Sequence, residues 1–146
     1  MIFRSKIDKF FINLLLIIVL SIGGLAFLPF YFNGIKNNIT PNLISMMILF
    51  LTIGFMLWTS FSIKYVFNED FLLVKGGPIK SRIRYENITN VSPTTDVFTG
   101  YRILSSRDAL EIFYKNALLG SVKISPENQK AFINELKRKC PNLHIK

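Results

Sequence analysis

Two long stretches without a charged side chain constrain this chain more than anything else in it. Phe10 to Phe32 reads FFINLLLIIVLSIGGLAFLPFYF, and Leu43 to Ile63 reads LISMMILFLTIGFMLWTSFSI. Crossing the hydrocarbon core of a bilayer takes about 20 helical residues, and each stretch has that length. Helices on the surface of a soluble core keep a polar face, and neither stretch has one. They read as transmembrane helices over about residues 10–32 and 43–61. A cleaved secretory signal is the competing reading of the first, with Arg4, Lys6 and Lys9 as its positive flank. Its apolar part exceeds the roughly 7–15 residues of such a signal, and Leu25-Ala26-Phe27 is a poor cleavage site. Ser21, Gly23 and Gly24 are expected where the second helix approaches closely.

Charge flanking these runs sets an orientation. The connector Asn33 to Asn42 is polar and carries one Lys, whereas Arg4, Lys6 and Lys9 precede the first run. Lys64, Lys75, Lys80, Arg82 and Arg84 follow the second. By the positive-inside rule the connector lies outside and both termini are cytoplasmic. Residues 1–61 thus form a helical hairpin, and residues 62–146 a separate small domain.

From Ser62 onward the hydrophobic period becomes two, which is strand spacing. Tyr65 and Phe67 lead through the turn Asn68-Glu69-Asp70 to a second strand, Phe71 to Lys75, which Gly76-Gly77-Pro78 breaks. Ile79 to Tyr85 alternates apolar with basic residues, and Ile88 to Val91 is strand-like up to Ser92-Pro93. Strands follow at Tyr101–Leu104, Leu110–Tyr114 and around Val122–Ile124, with a turn over Asn116–Gly120. Ser125 as N-cap and Pro126 at the first position open a helix whose stripe is Phe132, Ile133, Leu136 and Cys140. Pro141 ends it, and His144 lies in a solvated tail. The expected fold is α+β: a curved antiparallel sheet or barrel capped by one C-terminal helix.

The order Tyr65…Glu69-Asp70…Leu72-Leu73-Val74-Lys75-Gly76-Gly77-Pro78 is followed by Ile83-Arg84-Tyr85-Glu86-Asn87-Ile88. Then come Ser92-Pro93-Thr94, Leu110 to Tyr114, and Ile124-Ser125-Pro126…Phe132…Leu136. Carried on these residues, the chain resembles the YyaB-like bacterial pleckstrin-homology (PH) domains, a family of unknown function. The likeness covers about Ser62 to Ile145, and the two preceding helices match that family's layout. Ser105-Ser106-Arg107-Asp108-Ala109 fits only with a shift, so no role is carried over to Arg107. The resemblance implies a PH-like fold at a bacterial inner membrane and hands over no activity.

Chemistry is sparse. One Cys allows no intramolecular disulfide, and one His makes a His-based metal site or a Ser-His-Asp triad improbable. Glu69-Asp70 reads as a turn, and Gly76-Gly77 lacks the spacing of a phosphate loop. No catalytic residue, cofactor or metal is expected, and the chain reads as no enzyme. The formal charge of +9 calls for an anionic neighbour. Nucleic acid is disfavoured by the greasy runs and by the lack of aromatics interleaved with basic residues. Lys80, Arg82 and Arg84 share one face of a strand at intervals of about 7 Å, and Lys64 directly follows the second helix. These four are the candidate lipid- or partner-binding residues, against the plainer reading of a solvated strand face. The expected function is an interaction module at the cytoplasmic face, docking on anionic lipid or a membrane protein. The alternative, by analogy with other small membrane proteins that carry bacterial PH-like domains, is a bacteriocin self-immunity factor.

Overall fold

The computed structural model describes residues 1–33, 39–115, 120–141 and 143–145. Two apolar helices, α1 (Lys9–Asn33) and α2 (Ile39–Phe61), pack against each other. Within the expected connector, residues 34–38 lie outside the described residues, and Ile39 to Asn42 already belong to α2. Pro41 falls in the first turn of α2, where backbone N–H groups have no helical partner to lose. Among the described residues, the 19-residue stretch Leu43–Phe61 is long and apolar enough to cross a bilayer. Lys9–Leu25 is a shorter apolar stretch, so one helix among the described residues meets this measure. Gly23 and Gly24 do not mark a close approach, because a Cβ built on either meets nothing within 4 Å.

The residues ahead of α1 carry a strand that alternation is too short to reveal. β1 (Ile2–Arg4) pairs antiparallel with β2 (Lys64–Phe67), so the N-terminus belongs to the folded domain as well as to the helical segment. β3 (Phe71–Gly76) and β4 (Ile79–Arg84) complete a four-stranded antiparallel sheet in the order β1-β2-β3-β4. A single 3-10 turn, Tyr85–Asn87, leads out of it.

The second sheet holds β5 (Ile88–Thr94), β6 (Tyr101–Ile103), β7 (Ala109–Tyr114), β8 (Ser121–Ile124) and β9 (His144–Ile145). Their order is β6-β8-β7-β5-β9, and β6–β8 and β5–β9 are parallel, against the expectation of a purely antiparallel sheet. β6 does not form a hairpin with β7 because the chain between them is drawn away: Ser105 and Ser106 bond to Ser5, Lys6 and Asp8. β5 runs through Ser92-Pro93 instead of stopping there. Its pairing with β9 covers only Asn90 and Val91, so at Pro93 one edge is open and a missing N–H is tolerated. His144 sits in β9 and not in a loose tail. Of the expected turn Asn116–Gly120, residues 116–119 lie outside the described residues.

The closing helix α3 (Gln129–Lys139) starts later than Ser125-Pro126 predicts. Asn128 is its N-cap, accepting from the Ala131 N–H at 3.0 Å. Ser125 is unavailable for capping because its hydroxyl accepts the Ser105 N–H at 3.0 Å and lies 2.9 Å from the Ser5 hydroxyl. The α3 stripe is as expected: Phe132, Leu136 and Cys140 are buried, with Ile133 at the margin. Phe132 packs edge-on against Phe3 at 5.3 Å and lies 4.9 Å from Phe67, which joins helix, β1 and β2 in one core.

One buried polar group crosses that core. The Tyr65 hydroxyl donates to the Ile103 carbonyl at 2.8 Å, accepts the Ser125 N–H at 3.0 Å, and lies 3.0 Å from the Ser5 hydroxyl. Burial pushes its pKa above the ordinary phenol range. Replacing Tyr65 by Phe strands the Ser125 N–H and the Ile103 carbonyl. It should lower the unfolding free energy by about 1–3 kcal/mol, measured by denaturation in detergent. An unchanged midpoint would show that the hydroxyl adds nothing.

Candidate functional site

Side chains alternate across a strand, so the first sheet has an inner and an outer face. Phe3, Tyr65, Phe67, Leu72, Val74 and Ile83 point inward and are buried. The outer face carries the charge. Register sets Arg4 opposite Lys64, Lys64 opposite Lys75, and Lys75 opposite Lys80. Four cations thus stand in one row across four adjacent strands, at steps of roughly 4.8 Å. Arg4, Lys64 and Lys80 are exposed and Lys75 is half-buried. Among the described residues, none of the four forms an ion pair; those present are Lys6–Asp108, Arg84–Glu86, Lys123–Asp96 and Arg138–Glu135.

The next rows differ. Ile2, Val66 and Leu73 lead to Arg82, whose guanidinium lies 5.7 Å over the Phe71 ring. Arg84, opposite Phe71, sits 3.4 Å from Glu86. Both arginines line a groove that they share with Glu69, Asp70 and Glu86. The structure therefore brings together Lys64 and Lys80 from the four candidate residues and adds Arg4 and Lys75. Arg82 and Arg84 are on the same exposed face, but one and two rows away and beside carboxylates. The sequence does hold a signal for Lys75. A two-residue turn at Gly77-Pro78 places it opposite Lys80. Arg4 has none, because nothing in the sequence announces β1.

Both helices meet the domain beside this row. β2 begins three residues after α2 ends, and Thr59 in the last turn of α2 touches the β3–β4 hairpin. Gly77 at that hairpin has a φ of +56°, and a Cβ there would meet the Thr59 side chain at 2.8 Å, so only glycine fits. Phe11, Thr59, Ser60, Ile63, Ile79 and Arg102 surround a cleft of about 180 Å³ between the helix ends and the sheets. Ile79 at the hairpin tip is 54% exposed. Phe98 is 61% exposed and lies edge-on to Phe10 in the first turn of α1 at 6.1 Å. The Arg107 guanidinium covers the Phe10 ring at 4.7 Å.

Three aspartates fix this junction. Asp8 caps α1 through the Phe11 N–H at 2.8 Å and also accepts the Arg107 N–H at 2.7 Å and the Ser106 hydroxyl at 3.0 Å. Partial burial alone would raise its pKa, but these donors outweigh burial and hold it below the ordinary carboxylate range. Asp108 is held low by the Lys6 ammonium at 2.8 Å. Asp96 is held low by the buried Lys123 ammonium at 2.8 Å and by donors within its own loop, Thr99 and the Phe98 N–H. Cys140 is a core residue: burial pushes its thiol up to about 11, and Sγ points at the Tyr85 carbonyl. Among the described residues, no three His, Cys, Asp or Glu side chains cluster to hold a metal.

All three aspartates have pKa values depressed by folding, so their contribution is complete above the unfolded value of about 3.9 and is lost below it. The thermal midpoint should therefore fall as pH drops below about 4. Asp96→Asn, which leaves the Lys123 ammonium buried without its carboxylate, should lower the midpoint at neutral pH and flatten that acid limb. Calorimetry across pH checks both, and an acid limb that Asp96→Asn leaves unaltered would contradict this assignment.

No solved structure matches the chain. The protein YyaB of Bacillus subtilis (strain 168), described as uncharacterized, is 32% identical over 145 residues, spanning 99% of this chain and 97% of the relative. Residues 63–140, from the end of α2 to the end of α3, match the bacterial PH domain family. With strands β2 to β8 and the closing helix inside that match, the chain belongs to the bacterial PH domain family.

Proposed function

We propose that this protein is a non-catalytic PH-like interaction module that α1 and α2 anchor in the bacterial inner membrane. Both termini are cytoplasmic, and the module docks on anionic lipid or on a membrane protein. The observation that carries this reading is convergence. The start of α1 and the end of α2 meet the domain at one end, where the row of four cations and the exposed Ile79 and Phe98 also lie. Helices of 25 and 23 residues extend about 34–38 Å, enough for a hydrocarbon core of about 30 Å. Leu16, Leu20, Leu25, Phe50, Leu51 and Phe55 are among the large apolar side chains they expose, a surface that water does not tolerate. The positive charge on the domain side and its scarcity in the connector orient the hairpin. Membership of a PH family and the sparse set of reactive groups support binding over catalysis.

Alkaline carbonate should leave the full chain in the membrane pellet. Reporters fused after Lys146 should be active only as cytoplasmic fusions, and reporters inserted at Lys36 only as exported ones. Release by carbonate, or an exported C-terminus, would sink the reading.

A further inference from the structure

We propose that the row Arg4–Lys64–Lys75–Lys80 is the surface by which the domain binds anionic phospholipid headgroups of its own bilayer. This rests on the anchored reading above and narrows it to one ligand and one set of residues. Three observations select the row over the other cations of the face. The first is continuity with the helices: Lys64 follows α2 by three residues, and Lys75 and Lys80 flank the hairpin that touches Thr59 in its last turn. Arg4 stands five residues before Lys9, where α1 begins. Headgroups around these helices lie within reach of all four side chains, whereas Arg84 is two rows farther along the strands.

The second observation is unrelieved charge. Like charges placed directly opposite one another across strands destabilise a sheet. Here that happens at three successive pairings, with no carboxylate pairing with the row among the described residues. Folding alone gains nothing from the arrangement, and a plane of phosphates gains from it directly. Arg82 and Arg84, by contrast, already have Phe71 and Glu86 as partners. The third is shape. Lys64, Lys75 and Lys80 cross the outer side of a sheet, and Arg4 at its edge lines an open groove with Asp108 and Glu127, so steps of roughly 4.8 Å suit a surface of headgroups and not one enclosed ligand.

The single Trp of the chain reads this out in the native sequence. Trp58 lies in the last turn of α2 and is exposed, so it reports the lipids beside the row. Full-length protein is reconstituted in phosphatidylcholine–phosphatidylglycerol mixtures, with bromine on the chains of one lipid or the other. Brominated phosphatidylglycerol should quench Trp58 in preference to brominated phosphatidylcholine, with a local enrichment of roughly fivefold, the equivalent of about 1 kcal/mol. The preference should vanish near 1 M salt, where the screening length is about 3 Å. Arg4→Gln/Lys64→Gln/Lys75→Gln/Lys80→Gln should abolish it at low salt while leaving the thermal midpoint equal or higher, since repulsion is relieved. Arg82→Gln/Arg84→Gln should keep it.

Equal quenching by the two lipids overturns the proposal and leaves the row to a protein partner. So does a preference that survives high salt in the unaltered protein, which needs no variant to fold. Quenching by neither lipid defeats the anchored reading itself, a different failure from the loss of selectivity.

Discussion

The hydroxyl cluster of Tyr65, Ser5, Ser105 and Ser125 is the constraint on which the rest of this architecture depends. It joins strand β2, the chain ahead of α1, the β6–β7 connection and the end of β8 at one buried point. Because Ser5 is held there, β1 is held against β2, and Asp8 three residues later is in place to cap α1. A polar cluster in an apolar core helps only when every member is bonded, since one orphaned group in low dielectric costs about 1–3 kcal/mol. These hydroxyls find one another and the backbone, so the cluster fixes a unique arrangement that apolar side chains of similar size would leave loose.

The consequence is mechanical. A domain joined to two helices by single strands of chain could swivel. Here α1 is fastened by the Asp8 cap, by Phe10 between Arg107 and Phe98, and by the Ser5 cluster. α2 is fastened by Thr59 against Gly77 and by the buried Ile63. Attachment on both sides fixes which face of the first sheet stands beside the helix ends, so helix direction and sheet orientation are one variable.

What the sequence made legible follows from which forces act locally. Strands β2, β3 and β4, the Gly77-Pro78 hairpin and the Phe132–Leu136–Cys140 stripe arise from alternation, glycine geometry and helical spacing, and each lies where those rules place it. β1, the parallel β6–β8 and β5–β9 pairs and the late start of α3 depend on partners far away in the chain. Ser125 shows why: by local rules it is a good N-cap, yet Ser5 and Ser105, one hundred positions apart from each other, take its hydroxyl into the core. The same limit hid half of the candidate site. Lys80, Arg82 and Arg84 are visible as a strand face, but the row perpendicular to it exists only once β1 and the register across three pairings are known.

The distribution of carboxylates gives that row its meaning. With 18 basic and 9 acidic side chains, a chain could scatter its negative charges to quiet every basic patch. Instead Asp8, Asp96 and Asp108 serve backbone donors and lysines at the junction, Glu86 faces Arg84, and Glu135 faces Arg138. Arg4, Lys64, Lys75 and Lys80, beside the points where the helices begin and end, are left without an ion pair among the described residues. At about 1 kcal/mol for each cation near an acidic leaflet, such a row would hold a free domain only weakly. For a domain already attached at two points, the effective concentration of headgroups is high and the translational cost is already met. The same few kcal/mol then act on orientation alone, where they are large enough to select one pose over its alternatives. On the proposed reading, weak, planar charge suits a module that its two helices already hold at the membrane and that has only to be turned toward it.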